Sequence, residues 1–153
     1  MSFTMSSPAF SPGAAIPKPY TCQGTDISPA LAWSDHPAQT ASFALILDDP
    51  DAPVGTWVHW VIWNIPASAH QLAENVAKHD RLDIGAMQGS NDFRKIGYNG
   101  PCPPPGKTHR YFFRLYALDA KLNLAPGATR MELDADMKGH ILAQAEYMGT
   151  FRR

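Results

Sequence analysis

Prolines and glycines are spread along the chain rather than clustered at one end, and they limit what it can fold into. The 153 residues include 14 prolines and 11 glycines. A proline inside a helix removes a backbone hydrogen bond and clashes with the preceding turn, so this distribution argues against a helical bundle. It favours short strands joined by turns. We therefore predict a mainly β fold, with residues 1–153 forming a single domain that has a sizeable core.

Charge and composition exclude several classes of protein. The net charge is −1, and the sequence shows no run of Lys and Arg, which disfavours bulk nucleic-acid binding. No apolar stretch is long enough to span a bilayer. The N-terminus lacks a basic region followed by an apolar one, so we expect a cytoplasmic location. Two cysteines, Cys22 and Cys102, are too few for a disulfide framework, and we expect free thiols in a reducing compartment.

One polar stretch, residues 48–59, lies between two apolar runs that are typical of strands. Residues 43–47 lead into it and residues 60–63 lead out of it. The polar side chains are therefore expected where a strand ends, on a loop stiffened by proline, which is a frequent position for a binding site. Alternation along the second strand predicts that four of its side chains share one face: Trp57, His59, Val61 and Trp63.

A second loop rich in proline and glycine, residues 99–108, precedes another apolar strand, residues 109–118. Alternation places His109, Tyr111, Phe113 and Leu115 on one face of that strand and the two arginines, Arg110 and Arg114, on the other. Because both loops deliver a histidine to the edge of a strand, we expect His59 and His109 to meet in one pocket.

The remaining elements are predicted from local patterns. Residues 31–33 form a short strand, residues 41–48 a buried central strand, and residues 57–65 the next strand. Thr129 and Glu132 form a capping box, so we predict a helix over 130–138 followed by a strand over 141–150; one continuous helix to 148 is the alternative. Residues 67–76 are compatible with a short helix and residues 85–93 with a loop.

The chemistry of this residue set favours binding of a small anion. An aspartate facing either histidine would fix its tautomer and raise its pKa, and charge-assisted bonds would attract phosphate oxygens. The Tyr111 hydroxyl and the Gly100 N–H are further donors. The alternative is a metal site of two histidines and one aspartate, but the sequence has none of the close metal-ligand spacings. The other histidines carry no such constellation and are predicted at the surface: His36, His70, His79 and His140.

The chain resembles the phosphatidylethanolamine-binding protein family, especially its short bacterial branch related to Raf kinase inhibitor protein. The resemblance rests on the motif from Asp49 to Pro53 with Trp57 and His59, and on residues 97–104 followed by His109, Arg110 and Tyr111. Supporting matches lie at residues 16–22, 26–33 and 139–143. Together these segments span nearly the whole chain.

The resemblance implies a β-sandwich of a large central sheet and a smaller sheet, with one or two short helices. It also implies a shallow pocket for phosphate or a phospholipid headgroup, with no cofactor and no catalytic residue. The ligand-binding positions that match the family are Asp49, His59, Gly100, Pro101, His109 and Tyr111. A protease or kinase partner, a regulatory role and a homodimer are compatible with the resemblance; a metal-assisted or acid–base phosphoesterase using the same residues is the alternative function.

Two departures and two local expectations accompany the resemblance. Arg94 stands where bacterial relatives usually carry glycine, and the chain ends at Arg153, without the C-terminal helix of longer relatives, which would leave the pocket more open. By alternation, Asp51 and Arg110 should point away from the pocket, and we expect them to form a partly buried pair. The two prolines at 50 and 53 make a cis Ala52–Pro53 bond plausible, and the family resemblance supports it.

Overall fold

The computed structural model describes residues 2–153 and contains two antiparallel sheets. The smaller sheet has the order β1–β2–β5 and the larger has the order β6–β4–β3–β7–β8. The strands are β1 Thr4–Ser6, β2 Leu31–Ser34, β3 Ser42–Asp49, β4 Trp57–Pro66, β5 Gln71–Leu72, β6 Met87–Gln88, β7 His109–Leu118 and β8 Ile141–Phe151. A 3-10 turn spans Lys18–Tyr20 and one α-helix, α1, spans Arg130–Met137. The mainly β sandwich predicted from the sequence is confirmed.

Strand β3 is the central strand of the larger sheet, as its sequence predicts. All eight of its residues are buried, because β4 and β7 pair with its two edges and side chains cover both of its faces. Such a strand has apolar residues at successive positions rather than at alternating ones. The strand ends in the consecutive residues Asp48 and Asp49, whose side chains therefore point to opposite faces of the sheet.

The domain has three layers: the smaller sheet, the larger sheet and the helix α1. The side chains of Phe43, Leu45 and Leu47 pack in the core between the two sheets. Those of Ala44 and Ile46 pack against Leu133 and Met137 of α1 on the other side. The helix begins with the predicted capping box, in which Thr129 and Glu132 each bond the other's backbone N–H. It ends before Gly139, which has a positive φ, and β8 follows, so the alternative of one long helix is wrong.

Two local predictions fail because tertiary pairing overrides local preference. Residues 67–76 do not form a helix: Gln71 and Leu72 pair with β2, which places Leu72 in the core between the sheets. Residues 85–93 are not entirely loop, since Met87 and Gln88 extend the larger sheet beside β4. The buried amide of Gln88 accepts a hydrogen bond from Trp60 Nε1 and donates to the carbonyls of Ala77 and His79.

The predicted common face of four residues on β4 is also wrong, because the strand contains a β-bulge. Asp48 pairs with Val58 while Leu47 pairs with Trp60, which leaves His59 as the extra residue. The bulge reverses the alternation beyond it. Val61 and Trp63 consequently pack on the helix side of the sheet, whereas His59 contacts Tyr111 on the opposite side.

Two bonds differ from the predictions. No cis peptide bond occurs in residues 2–153, so the predicted cis Ala52–Pro53 bond is wrong: the turn at residues 50–55 closes with trans bonds and a positive φ at Gly55. Cys22 and Cys102 form a disulfide, so the expectation of two free thiols is wrong. Because 80 residues separate them, only the folded backbone, in which Cys22 N donates to Pro101 O, reveals their proximity.

Among residues 2–153, no helix combines the length and the hydrophobicity that a bilayer crossing requires.

Candidate functional site

The site lies at the end of the larger sheet where β3 ends and β7 begins. Because these two strands are antiparallel, the end of one adjoins the start of the other, and Asp49 meets His109. The Asp49 Oδ2 atom accepts a hydrogen bond from His109 Nδ1 at 2.6 Å, and both side chains are buried. The other oxygen, Oδ1, accepts from the backbone N–H of Asp51. Both oxygens of the carboxylate are therefore engaged, and the His109 ring has a fixed orientation.

The second histidine, His59, is held by a backbone group. Its Nδ1 atom lies 2.7 Å from the carbonyl oxygen of Asn99, and a carbonyl can only accept, so Nδ1 carries the proton. The edges and faces of Phe93 and Tyr111 enclose the ring. Burial lowers the pKa of His59 below its ordinary value of 6.5; the bond to Asn99 and the charge of Asp49 oppose that shift without reversing it.

The hydroxyl of Tyr111 is a buried polar group without a hydrogen-bond partner, the only one among the side chains of residues 2–153. Burial raises the pKa of this hydroxyl, and the negative charge of Asp49 raises it further. The group therefore remains a neutral O–H donor across the physiological range. An unpaired buried hydroxyl is costly, so this exception in the wall of the cavity calls for an explanation.

These groups surround a cavity of about 180 Å³. The predicted residues Asp49, His59, His109 and Tyr111 all line it. The rest of its wall is formed by Ala52, Pro53, Val54, Trp57, Phe93, Cys102, Pro103 and Pro104. The cavity therefore combines two imidazoles, one carboxylate and one hydroxyl with a wall of proline, aromatic, aliphatic and cysteine side chains.

Two other predicted ligand-binding residues, Gly100 and Pro101, do not line the cavity. The Gly100 N–H donates to Asp26 Oδ1 at 2.7 Å, so it is not directed at a ligand. A Cβ atom at this position would lie 2.0 Å from the carbonyl oxygen of Tyr20, which explains the glycine. In this structure the two residues brace the loop behind His59, and Asp26, which the sequence patterns did not select, anchors that loop.

Sequence reasoning also missed Phe93, which closes the cavity over His59 and contacts Trp57. Its position depends on the next residue: Arg94 has φ 60°, a conformation in which glycine is normally favoured. Asn91 stabilises this turn, because its side-chain oxygen accepts from the N–H groups of Phe93 and Lys95. The loop therefore keeps a glycine-type backbone although it carries arginine. The departure at Arg94, noted from the sequence, points to this loop but does not reveal that Phe93 lines the cavity.

The neighbouring charges are paired outside the cavity. Asp51 and Arg110 form the predicted pair, with Oδ1 of Asp51 2.8 Å from Nη2 of Arg110, but the pair is more exposed than we expected, since the arginine side chain is 53% accessible. On the helix side of the sheet, the buried Asp48 accepts from both Arg114 and Arg130. The other histidines lie away from the cavity; His70, His79 and His140 are exposed, and His36 is half-buried against Phe43 and His70.

The donor set of the cavity does not match a metal centre. In the part of the chain that the structure describes, no three side chains of His, Cys, Asp or Glu converge as metal ligands. The carboxylate that the metal alternative requires, Asp49, uses its two oxygens for His109 and for the Asp51 backbone. Two imidazole Nε2 atoms and a tyrosine hydroxyl remain for a ligand.

Comparison with known proteins agrees with the fold and the motifs. The family model for phosphatidylethanolamine-binding protein matches residues 6–152. A UPF0098 protein from Methanothermobacter thermautotrophicus is 52% identical over 145 residues, which cover 95% of each chain. Another from Aquifex aeolicus is 50% identical, covering 96% of this chain and 86% of the relative.

Two crystal structures are similar over almost the full length. A homologue of phosphatidylethanolamine-binding protein from Chlamydia trachomatis superposes with a TM-score of 0.91 at 43% identity, covering 99% of this chain and 98% of the other. YbcL of Escherichia coli, described as a new member of the mammalian family, superposes with a TM-score of 0.93 at 32% identity, covering 100% and 99%. On the family model, the sequence relatives and the shared fold, this chain belongs to the phosphatidylethanolamine-binding protein family.

Proposed function

We propose that residues 1–153 act as one domain that binds a small anion, a phosphate or a phospholipid headgroup, in the cavity between His59 and His109. The observation that carries the proposal is the convergence of an Asp49–His109 pair, a second imidazole and an unpartnered Tyr111 hydroxyl in one small cavity. A negatively charged oxygen is the partner that an unpaired hydroxyl and an imidazolium both favour. The family name of the matching model is consistent with such a ligand.

The side chains that line the cavity favour a binding role over catalysis. His109 is the imidazole with an orienting carboxylate, but among residues 2–153 no serine or threonine lines the cavity with it, and the cysteine that does, Cys102, is held in the disulfide. Asp49 is likewise occupied by its own hydrogen bonds. The phosphoesterase alternative would require an activated water in this cavity, and a turnover assay with a phosphate monoester tests it.

Regulation through a protein partner is the second part of the proposal. The rim of the cavity is apolar and projects outward: Val54 is 83% exposed, and Pro104 on the facing loop is also exposed. A partner such as a protease or a kinase could therefore contact the rim and sense whether the cavity is filled, and a second copy of the chain is another partner to test.

The disulfide bears on the cytoplasmic location that we expect from the sequence. Disulfides persist mainly in oxidising compartments. A cytoplasmic form of this protein would require the bond between Cys22 and Cys102 to resist cellular thiols. Fractionation combined with thiol labelling before lysis separates the two cases.

Calorimetric titration with inorganic phosphate tests the proposed binding directly. We expect saturable binding in the wild type and at least tenfold weaker binding in His109→Gln, which removes the imidazole that Asp49 orients in the cavity. The matched control is His36→Gln, because His36 lies outside the cavity. Equal affinities in all three proteins would contradict the proposed site, and turnover of a phosphate monoester that disappears in His59→Gln would support the enzymatic alternative.

A further inference from the structure

The disulfide between Cys22 and Cys102 connects the wall of the cavity with the surface of the protein. Cys102 lines the cavity and is half-buried between two buried prolines, Pro101 and Pro103. Cys22 lies in the turn that follows the 3-10 turn and is exposed. Disulfides that thiols in solution can reach are more labile than enclosed ones. A small thiol therefore approaches the Cys22 side of this bond more readily than the Cys102 side.

Hydrogen bonds that do not involve sulfur also hold the two segments together. The Cys22 N–H donates to the carbonyl oxygen of Pro101 at 3.1 Å. The Gly100 N–H donates to Asp26 Oδ1 at 2.7 Å. Because these bonds do not require the disulfide, the segments should remain adjacent when it opens. Cys102 then stays close enough to attack a mixed disulfide at Cys22, which makes a reaction at Cys22 reversible.

The cavity contains a donor for the sulfur that leaves. Tyr111 lines the same cavity as Cys102, and its buried hydroxyl has no hydrogen-bond partner. A hydrogen bond to a thiolate stabilises the charged form. A thiolate stabilised in this way departs faster as a leaving group and attacks back more slowly. Access to Cys22 and stabilisation of the departing Cys102 therefore favour the same direction of attack.

We propose that the disulfide is a site of reversible thiolation, at which a small thiol such as glutathione attaches to Cys22 and releases Cys102 into the wall of the cavity. The thiolate of the small molecule attacks Cys22 Sγ and forms a new S–S bond. The bond to Cys102 breaks, and its electron pair remains on Cys102 Sγ as a thiolate. Attack of Cys102 on the mixed disulfide restores the original bond and expels the small thiol. The proposal does not depend on anion binding in the cavity.

Reduced glutathione and the wild-type protein test the proposal, because the chain contains only two cysteines. The folded protein is incubated with glutathione, free thiols are blocked with N-ethylmaleimide at successive times, and peptide mapping locates both groups. We expect the first product to carry glutathione on Cys22 and maleimide on Cys102. Protein unfolded in denaturant is the control, and there we expect glutathione on both cysteines.

Three results would overturn the proposal. The first is glutathione on Cys102 of the folded protein, or equally on both cysteines. The second is a bond that stays closed in the folded protein at glutathione concentrations that open it in the unfolded chain. The third is a folded protein with two blocked thiols and no glutathione adduct at any time, which would mean that the mixed disulfide does not persist.

A variant tests the role of the Tyr111 hydroxyl. Tyr111→Phe removes an unpaired buried hydroxyl and should therefore fold. We expect glutathione to open the disulfide at least about threefold more slowly in this variant, because the departing Cys102 thiolate loses its donor. The matched control is Tyr116→Phe, since Tyr116 packs on the helix side of the larger sheet and should leave the rate unchanged. Equal rates in the two variants would overturn the assignment of Tyr111 as the donor.

Discussion

The carboxylates of Asp48 and Asp49 lie on opposite faces of the central strand β3, although the two residues are adjacent in the chain. Asp49 binds His109 in the wall of the cavity. Asp48 binds Arg114 of β7 and Arg130 of α1 on the helix side of the sheet. One carboxylate therefore belongs to the proposed ligand site and its neighbour binds an arginine of the helix, so the two substitutions to asparagine should have different effects.

We predict that Asp48→Asn lowers the free energy of unfolding and leaves ligand affinity intact. Removing one partner of a buried ion pair is strongly destabilising, and because both arginines are partly exposed and can reach water, we expect a loss of about 2–4 kcal/mol. Asp49→Asn should instead weaken phosphate binding at least tenfold, since it removes the carboxylate that accepts the His109 Nδ1 hydrogen bond and orients the ring. Denaturant unfolding and calorimetry measure the two effects, and the same loss of affinity in both variants would contradict this division.

The sequence predicted the strands well because a sheet buried on both faces imposes its own pattern. The run from Phe43 to Leu47 is apolar at every position, and β7 alternates between buried and less buried side chains from His109 to Leu115. The capping box at Thr129 is equally local, since all its partners lie within four residues. The four cavity residues at Asp49, His59, His109 and Tyr111 were found for the same reason: each stands at the end of such a strand.

The features that sequence reasoning missed depend on contacts between distant segments. The bulge at His59 exists only in the register between β3 and β4. Leu72 enters a strand rather than a helix because β2 offers it an edge. The disulfide between Cys22 and Cys102 joins residues 80 positions apart. The group that orients His59 is the backbone carbonyl of Asn99, for which no residue type gives a signal.

The loop at Arg94 gives a prediction about backbone conformation. A non-glycine residue in the left-handed region costs about 1–2 kcal/mol, and part of the gain from glycine is lost to the entropy of the unfolded chain. We expect Arg94→Gly to raise the free energy of unfolding by about 0.5–1 kcal/mol. The matched control is Arg81→Gly, because Arg81 does not have a positive φ and glycine should destabilise the protein there. Equal effects of the two substitutions would show that backbone conformation at Arg94 is not the cause.

The disulfide should contribute measurably to stability. It closes a long loop between the segment after the 3-10 turn and the wall of the cavity, and bonds of this kind typically contribute about 2–4 kcal/mol by restricting the unfolded chain. We expect the double variant Cys22→Ser with Cys102→Ser to lose that amount in denaturant unfolding. Wild type unfolded under reducing conditions is the control for the substitutions themselves. Intact mass after alkylation checks the premise: labelling of two thiols in the native, unreduced protein would contradict it.

Asp51 should titrate at unusually low pH. The hydrogen bonds from Arg110 lower the pKa of this carboxyl from 3.8 to about 2. Because its pKa is lower in the folded state, its contribution to stability is present above 3.8 and is lost as pH falls toward 2. Carbon-13 titration of the aspartate carboxyl groups measures the value. In Arg110→Gln we expect the pKa of Asp51 to rise toward its ordinary value, and an unchanged titration would show that the pair does not persist in solution.

The last prediction concerns the dependence of stability on pH near neutrality. Burial lowers the pKa of His59 in the folded protein, so the unfolded chain takes up a proton first as pH falls through about 6.5. The contribution of a neutral His59 is therefore complete above that pH and is lost progressively below it, down to the folded pKa. We expect the free energy of unfolding of His59→Gln to change less between pH 7 and about 5 than that of wild type. The control is His70→Gln, which replaces an exposed histidine outside the cavity and should keep the wild-type slope. The same slope in wild type and His59→Gln would mean that the pKa of His59 is the same in the folded and the unfolded chain, so that burial does not lower it.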